Sequence, residues 1–170
     1  MNLPLYNFFT DDHRRLESIL EEAVSNRNQI NDALYQQFRV GLLTHISMEE
    51  KVLFKAAQEV NGGEPLALAR QLRLEHGAIT SLLVPPPTPE LIRVLKYILE
   101  QHDYAEEKEG GMYELCEALT KDQTEELLVT LKNFPEVRVH PNKDIPIAWS
   151  SAKRSCERAG FDYDAIAARK

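Results

Sequence analysis

The sequence contains little cysteine, and its cysteines are not arranged for metal or redox chemistry. The two that it has, Cys116 and Cys156, lie far apart, and neither belongs to a CxxC pair. Two distant thiols cannot build a disulfide framework, a zinc ribbon or a thioredoxin-like redox site. The simplest interpretation is a protein of the reducing cytoplasm with two ordinary thiols.

Positive charge and long apolar runs are also scarce. The chain has 20 Lys and Arg residues against 27 Asp and Glu residues, which gives a formal net charge of -7. An acidic surface repels phosphate backbones and anionic lipids, so we expect no nucleic-acid partner and no membrane partner. No apolar run approaches the roughly 20 residues that a membrane-spanning helix needs. Residues 1–10 also lack the basic start and long apolar stretch of a secretory signal, which again favours the cytoplasm.

What the sequence does contain is helical periodicity. Apolar residues recur at spacings of three and four over four long segments, which predicts helices with one buried face each. These segments cover about residues 3–24, 32–60, 65–84 and 89–119, and a polar turn at 25–31 separates the first two. No segment shows the pattern of a β-strand. We therefore predict an all-α fold in which four helices form an up-down-up-down bundle.

Glycine and proline mark the breaks between the predicted helices. Gly62 and Gly63 end the second helix, because glycine readily adopts the left-handed conformation of a helix end. Three prolines at 85–87 end the third helix, and Thr88 caps the fourth. Gly110 is followed by a second glycine. Such a pair is costly inside a helix and predicts a bend or an early end of the fourth.

The chain changes character after residue 120. We predict a bundle domain over residues 1–120 and a C-terminal extension over residues 121–170. Three prolines favour an extended conformation for residues 135–146. The rest of the extension is predicted to form helices at about 122–133, 147–158 and 162–169. The sequence leaves open whether this extension packs on the bundle or joins two chains in a homodimer.

Six ionisable residues occupy stripe positions where apolar residues are expected. Each predicted helix carries one such histidine, and the second and fourth add a glutamate one turn later, so that each HxxxE pair can face one ion. Burying one such group without a partner costs on the order of 1–3 kcal/mol, against a total stability of roughly 5–15 kcal/mol. Bound metal ions would remove this cost. The predicted ligands are His13, His45, Glu49, His76, His102 and Glu106.

This ligand pattern resembles the hemerythrin-like, or HHE cation-binding, family. The strings HISMEEKVLF at 45–54 and HDYAEEK at 102–108 are similar to that family's motifs. The resemblance implies two iron ions, bridged by Glu49, Glu106 and an oxo or hydroxo oxygen atom. His13 would be a terminal ligand, and the other three histidines would complete the two coordination shells. Mixed imidazole and carboxylate donors without thiolate also suit iron better than manganese or zinc.

The sequence departs from the oxygen-carrying hemerythrins at two positions. Those proteins have a further histidine one turn after the third-helix histidine, and an aspartate ligand on the fourth helix. Here Thr80 stands at the first position, and the fourth-helix carboxylate is Glu106. One iron therefore has fewer protein ligands, and water or another residue fills the place. This departure argues against simple reversible oxygen carriage.

Two classes of function stay open. In the first, the centre binds or senses O2, NO or another small diatomic molecule, or iron itself. In the second, the protein is a two-iron oxidase or peroxidase that consumes O2 or hydrogen peroxide. We favour binding over catalysis, because the sequence shows neither a substrate pocket nor a proton donor beside the irons. A third reading is a single zinc or manganese ion that only holds the fold together.

Residues near the predicted ligands have plainer interpretations. Glu107 follows a predicted ligand, and on a helix it turns away from the core, which favours a solvated position over the alternative of a supporting contact with a ligand. Tyr6 lies two turns before His13 on the same stripe, so its hydroxyl either contacts the metal site or packs. Tyr113 and Cys116 belong to the inner stripe of the fourth helix and are predicted to fill the core.

Overall fold

The structure is a computed structural model that describes residues 3–26 and 29–169. Within these residues the regular structure is entirely helical, and there is no strand. This confirms the all-α prediction. The described helices include none whose length and apolar content would let it cross a membrane.

The described elements follow the predicted segments closely. A π-helical turn, Glu49–Leu53, joins α2 to α3, and a 3-10 turn, Lys121–Gln123, precedes α7. Residues 27 and 28 of the predicted turn lie outside the described residues. The α-helices are α1 (Pro4–Ala23), α2 (Asp32–Met48), α3 (Phe54–Val60), α4 (Ala69–Leu82), α5 (Pro89–Glu107), α6 (Met112–Leu119), α7 (Thr124–Lys132), α8 (Pro146–Ala159) and α9 (Tyr163–Ala167).

Most predicted helix boundaries are confirmed by local hydrogen bonds and dihedral angles. The Leu91 N–H donates to Thr88 Oγ1 at 3.2 Å, so Thr88 satisfies one of the free donors at the start of α5. Gly110 has a φ of 70°, a conformation that favours glycine, and it separates α5 from α6. Gly160 ends α8 in the left-handed conformation. Residues 135–145 form no regular element, as their prolines predict.

One predicted helix start was wrong, and one turn was not predicted. The third helix was expected from Pro65, but α4 begins at Ala69, after Leu68 at its N-cap. The second helix was expected over about 32–60, and helical structure covers Asp32–Val60. Within it, the Phe54 N–H donates to the Glu49 carbonyl, five residues back, which is the hydrogen bond of a π turn.

The chain divides into two compact units. Unit one comprises Met1–Leu66 and Glu106–Val139, and unit two comprises Ala67–Ala105 and His140–Lys170. Each unit thus combines two separate stretches of sequence. The division falls inside α5, between Ala105 and Glu106.

Unit one is built around α1, which packs against α2 and α6. Gly41 on α2 lies directly against Leu16 on α1, because a Cβ atom at position 41 would lie 2.6 Å from Leu16 Cδ2. The buried carboxylate of Glu117 on α6 accepts hydrogen bonds from the N–H groups of Leu5 and Tyr6, at 2.7 and 2.9 Å. These N–H groups lack helical partners at the start of α1, and a negative charge is favourable there. Glu117 therefore fixes α6 against α1.

Unit two is built around the pairing of α4 with α8. Side chains join these two helices along their length: Gln71 donates to the Ala159 carbonyl at 3.0 Å, and Ser81 donates to Ser155 at 3.1 Å. The extended segment before α8 is fixed by Asn142, whose amide donates to the Pro85 carbonyl at 2.8 Å. Residues 140–170 of the predicted extension therefore belong to this compact unit.

Candidate metal centre

Unit one gathers four of the predicted ligands, which we call the unit-one cluster: His13, His45, Glu49 and Glu106. His13, His45 and Glu49 each offer one ligand atom, and these three atoms lie within 4.8 Å of one another. All four side chains are buried, and the two glutamates have no exposed surface. Three imidazole or carboxylate donors at this spacing could hold one metal ion.

The local helix geometry explains how α2 contributes two of these residues. His45 and Glu49 are one turn apart, and His45 Nε2 lies 3.3 Å from Glu49 Oε1. Glu49 is also the first residue of the π turn. A π turn holds one more residue than an α turn, so the helix keeps Glu49 in the site and still buries Leu53 and Phe54 further along.

The last turn of α5 brings Glu106 to the same cluster. Its Oε2 atom lies 3.6 Å from His13 Nε2, a distance at which both atoms could share an ion. Because a buried carboxylate is costly without a cation or donors, its place beside an imidazole is typical of a binding site.

Tyr113 on α6 places its hydroxyl at the centre of the unit-one cluster. The oxygen is 2.5 Å from Glu49 Oε1 and 2.9 Å from Glu106 Oε2, and its single O–H hydrogen can donate to either carboxylate. It also lies 3.1 Å from His13 Nε2 and 3.3 Å from His45 Nε2. The sequence did not identify this residue, since a tyrosine on an apolar stripe has the pattern of an ordinary core residue.

Carboxylates hold the outer nitrogens of both histidines in the cluster. His45 Nδ1 lies 2.8 Å from Asp12 Oδ2, and His13 Nδ1 lies 2.7 Å from Glu107 Oε1. With Nδ1 paired to a carboxylate, each ring directs its Nε2 atom to the centre of the cluster. This arrangement is the one that supports metal-binding histidines in other proteins.

The position of Glu107 corrects the interpretation from sequence. A solvated position was expected, but its carboxylate is mostly covered and binds His13 and the Arg14 guanidinium. Burial alone would raise the pKa of Glu107, but the hydrogen bond with His13 and the charges of His13 and Arg14 hold that pKa below its ordinary value. A charged Glu107 is therefore the stable form beside the histidine.

Negative charge dominates the interior of the unit-one cluster. Burial alone would lower the pKa of His45, but Glu49 and Asp12 raise it to about 10. Burial, together with Glu106 and Glu49, raises the pKa of Tyr113 well above its ordinary value. A cluster that binds protons this firmly attracts positive charge, and a metal cation would also compensate its negative charge.

Unit two brings together the other two predicted ligands, which we call the unit-two pair: His76 and His102. Their Nε2 atoms lie 3.1 Å apart, and both side chains are buried. His102 Nδ1 lies 2.8 Å from Glu75 Oε2, so this ring too has an outer carboxylate and directs Nε2 inward. Burial alone would raise the pKa of Glu75, but His102, Gln71 and His76 hold it below its ordinary value.

Two further residues singled out from the sequence have local roles. Thr80 stands where a further histidine was considered, and its hydroxyl donates to the His76 carbonyl of its own helix at 2.8 Å. Tyr6 packs edge-on against Tyr113, with ring centroids 6.2 Å apart, and donates to the Glu107 carbonyl at 2.9 Å. Tyr6 thus supports the cluster from its outer side.

Comparison with known proteins supports the sequence motifs. A family model described as the hemerythrin HHE cation binding domain matches residues 5–123, which is more than half of the chain. Comparison with curated proteins and with solved structures gave no match.

Proposed function

Since the chain belongs to the hemerythrin HHE cation-binding domain family, we propose that it holds a non-haem centre of two iron ions. In this proposal a bridging oxo or hydroxo oxygen and the two glutamates link the irons. The centre binds or senses a small molecule such as O2 or NO, or iron itself. The proposed ligands are His13, His45, Glu49, His76, His102 and Glu106.

The donors present fit iron chemically. Each unit offers buried imidazole nitrogens, unit one adds two buried carboxylates, and neither set includes a thiolate. Both cysteines are buried, and neither belongs to a group of described residues whose ligand atoms converge on one point. Nitrogen and oxygen donors of this kind suit iron, with manganese and zinc as less favoured occupants.

The observation that carries the proposal is the unit-one cluster. His45 has 1% of its surface exposed and Glu49 has none, yet their ligand atoms and that of His13 converge within 4.8 Å. A core that buries these groups together would be costly without a cation among them. The unit-two pair adds two more imidazoles with the same outer support.

The residues around these ligands prepare them for an ion. When bound, iron would supply a redox-active cation with a coordination position open to a small molecule. Asp12 and Glu107 fix the tautomers of His45 and His13. The ring of Phe9 packs edge-on against His45 with centroids 5.3 Å apart and excludes water from that side.

The second candidate function is a two-iron oxidase or peroxidase that acts on O2 or hydrogen peroxide. One observation favours it: the Tyr113 hydroxyl, a group able to give up a proton, lies inside the cluster. Steady-state consumption of O2 or peroxide by the iron-loaded protein would support catalysis. Stoichiometric binding without turnover would support the binding role that we favour.

The arrangement predicted from sequence is part of the same proposal. We propose an up-down-up-down four-helix bundle over residues 1–120, with residues 121–170 as an extension that packs on it or forms a homodimer contact. We also propose a cytoplasmic location, which rests on the scarcity of cysteine. These points rest on sequence pattern and family membership.

Metal content per chain tests the proposal directly. Protein purified without added metal and then reconstituted anaerobically with ferrous iron should hold about two irons per chain, as in other two-iron bundles. The double variant Glu49→Gln, Glu106→Gln should lose most of this iron, because neutral amides are poor bridging ligands. The matched control Glu59→Gln, Glu109→Gln changes two exposed glutamates and should bind iron normally.

Other results would change the conclusion. One zinc or manganese ion per chain, unaffected by the double variant, would support the single structural metal instead. Failure to bind iron after reconstitution would refute the two-iron centre.

A further inference from the structure

The hydroxyl of Tyr113 has more polar neighbours than a packed tyrosine requires. A buried tyrosine usually needs one hydrogen-bond partner for its O–H. This oxygen lies between 2.5 and 3.3 Å from four nitrogen or oxygen atoms of the unit-one cluster. Those four atoms come from α1, α2, the π turn and α5, so the hydroxyl lies where four separate elements direct their ligand atoms.

The position of Tyr113 is fixed by packing as well as by polar contacts. Its side chain has no exposed surface, and its ring stacks on Phe9 with centroids 5.2 Å apart and planes 27° apart. The Glu117 carboxylate, one turn further along α6, anchors that helix to the start of α1. Tyr113 therefore cannot leave the cluster without a shift of α6.

From this geometry we infer that Tyr113 is itself a metal ligand, which binds ferric iron through its phenolate oxygen alongside His13, His45, Glu49 and Glu106. The inference rests on the proposed two-iron function, and it adds a fifth protein donor to the unit-one cluster. On binding, the phenol O–H bond breaks, its proton leaves to solvent, and an Fe–O bond forms without a change in the oxidation state of the iron.

Phenolate ligation would alter the behaviour of the centre. An anionic oxygen donor stabilises the ferric state over the ferrous state, because it places additional negative charge beside the more highly charged ion. A phenolate ligand also has no proton to donate. The inference therefore favours the binding or sensing role over the oxidase or peroxidase role.

A wild-type measurement tests the inference without any substitution. The protein is loaded with ferrous iron under argon and oxidised with air, and iron content is determined first. We expect a visible charge-transfer band from phenolate to ferric iron. Resonance Raman excitation into that band should show tyrosinate ring modes, which shift when the protein is made with ring-deuterated tyrosine. A bound ferric centre without these modes would overturn the inference but leave the two-iron proposal intact, whereas a chain without iron would overturn both.

Two substitutions then assign the ligand to one residue. Tyr113→Phe should lose the band and the Raman modes but keep most of its iron, because the other donors remain. Tyr35→Phe is the matched control, since Tyr35 is a buried tyrosine of unit one whose hydroxyl has no hydrogen-bond partner among the described residues. It should keep both signals. Retention of the band in Tyr113→Phe would overturn the assignment to Tyr113.

Discussion

Three carboxylates near the candidate ligands share one local arrangement. Asp12 precedes His13 in sequence but binds His45, and Glu75 precedes His76 but binds His102. Glu107 follows Glu106 and binds His13. Each is thus the sequence neighbour of a candidate ligand on one helix and the outer partner of a histidine on another. Within each unit, these pairs join neighbouring helices beside the candidate ligands of that unit.

This arrangement predicts a large effect from a small change at Asp12. Asp12→Asn removes the charge that holds the His45 tautomer, so iron affinity should fall by about 10–100-fold. Competition with a chelator of known affinity measures the change. Asp11→Asn alters the exposed neighbour on the same helix and should have no such effect. Equal affinities in the two variants would show that Asp12 does not support His45.

The sequence predicts some of these residues and cannot predict others. The six candidate ligands are all buried, as their places on apolar stripes indicate, since a charged residue there breaks the pattern. Tyr113 does not break it, because tyrosine suits an apolar stripe as well as a polar site. Asp12 and Glu107 lie beside the stripe, where only the packing of a second helix decides whether a side chain is solvated or bound.

At the scale of helices, Gly41 of α2 packs directly against Leu16 of α1. Gly41→Ala should lower the free energy of unfolding, because its Cβ atom would meet Leu16 and overpacking costs about 1–3 kcal/mol. Gly77→Ala on α4 should instead raise it by up to about 1 kcal/mol, since a Cβ atom there has nothing within 4 Å and alanine favours the helix. Urea unfolding of the metal-free protein compares the two. We expect changes of opposite sign in the free energy of unfolding, and equal gains in stability would contradict the close contact of Gly41 with Leu16.

The π turn makes a second prediction about the helices. Deletion of the exposed Lys51 should convert the π turn to an α turn. The buried faces of α2 and α3 should then keep their orientation, so the thermal midpoint of unfolding should change little. Deletion of the exposed Lys55 in α3 should rotate Ala56 and Ala57 out of the core. The free energy of unfolding of that variant should fall by about 2–4 kcal/mol, as it does when buried side chains are removed from a core. Thermal unfolding followed by circular dichroism measures both, and equal losses would argue against the π turn.

The sequence predicted the positions of the helices better than it predicted irregular turns and exact helix starts. α5 begins directly after Thr88, and Gly110 lies between α5 and α6, so both residues mark breaks as the sequence predicts. The π turn left no such mark, because its two buried residues, Glu49 and Leu53, are four residues apart, a spacing that also fits a regular α-helix. The late start of α4 was missed because Pro65 suits both a first helical turn and an irregular approach.

For the whole chain, bound metal should act as a stabilising ligand. Iron at about 100 times its dissociation constant should add about 2.7 kcal/mol to the free energy of unfolding, or roughly 5–10 °C in the thermal midpoint. Melting curves at a series of iron concentrations measure the rise. The variant Glu49→Gln, Glu106→Gln should show no rise. A midpoint that does not depend on iron, in protein shown to bind it, would mean that the ligands contribute nothing to the fold.

The pairing of α4 with α8 has a consequence for how the protein is made. α8 is translated well after α4, so the nascent α4 leaves the ribosome before its partner exists. During that interval its apolar face must be covered by other parts of the chain or by a chaperone. All residues of unit one, by contrast, have been translated once synthesis reaches Val139. Synthesis therefore allows the residues around His13 and His45 to assemble first, and the pairing of α4, which carries His76, is completed only when α8 emerges.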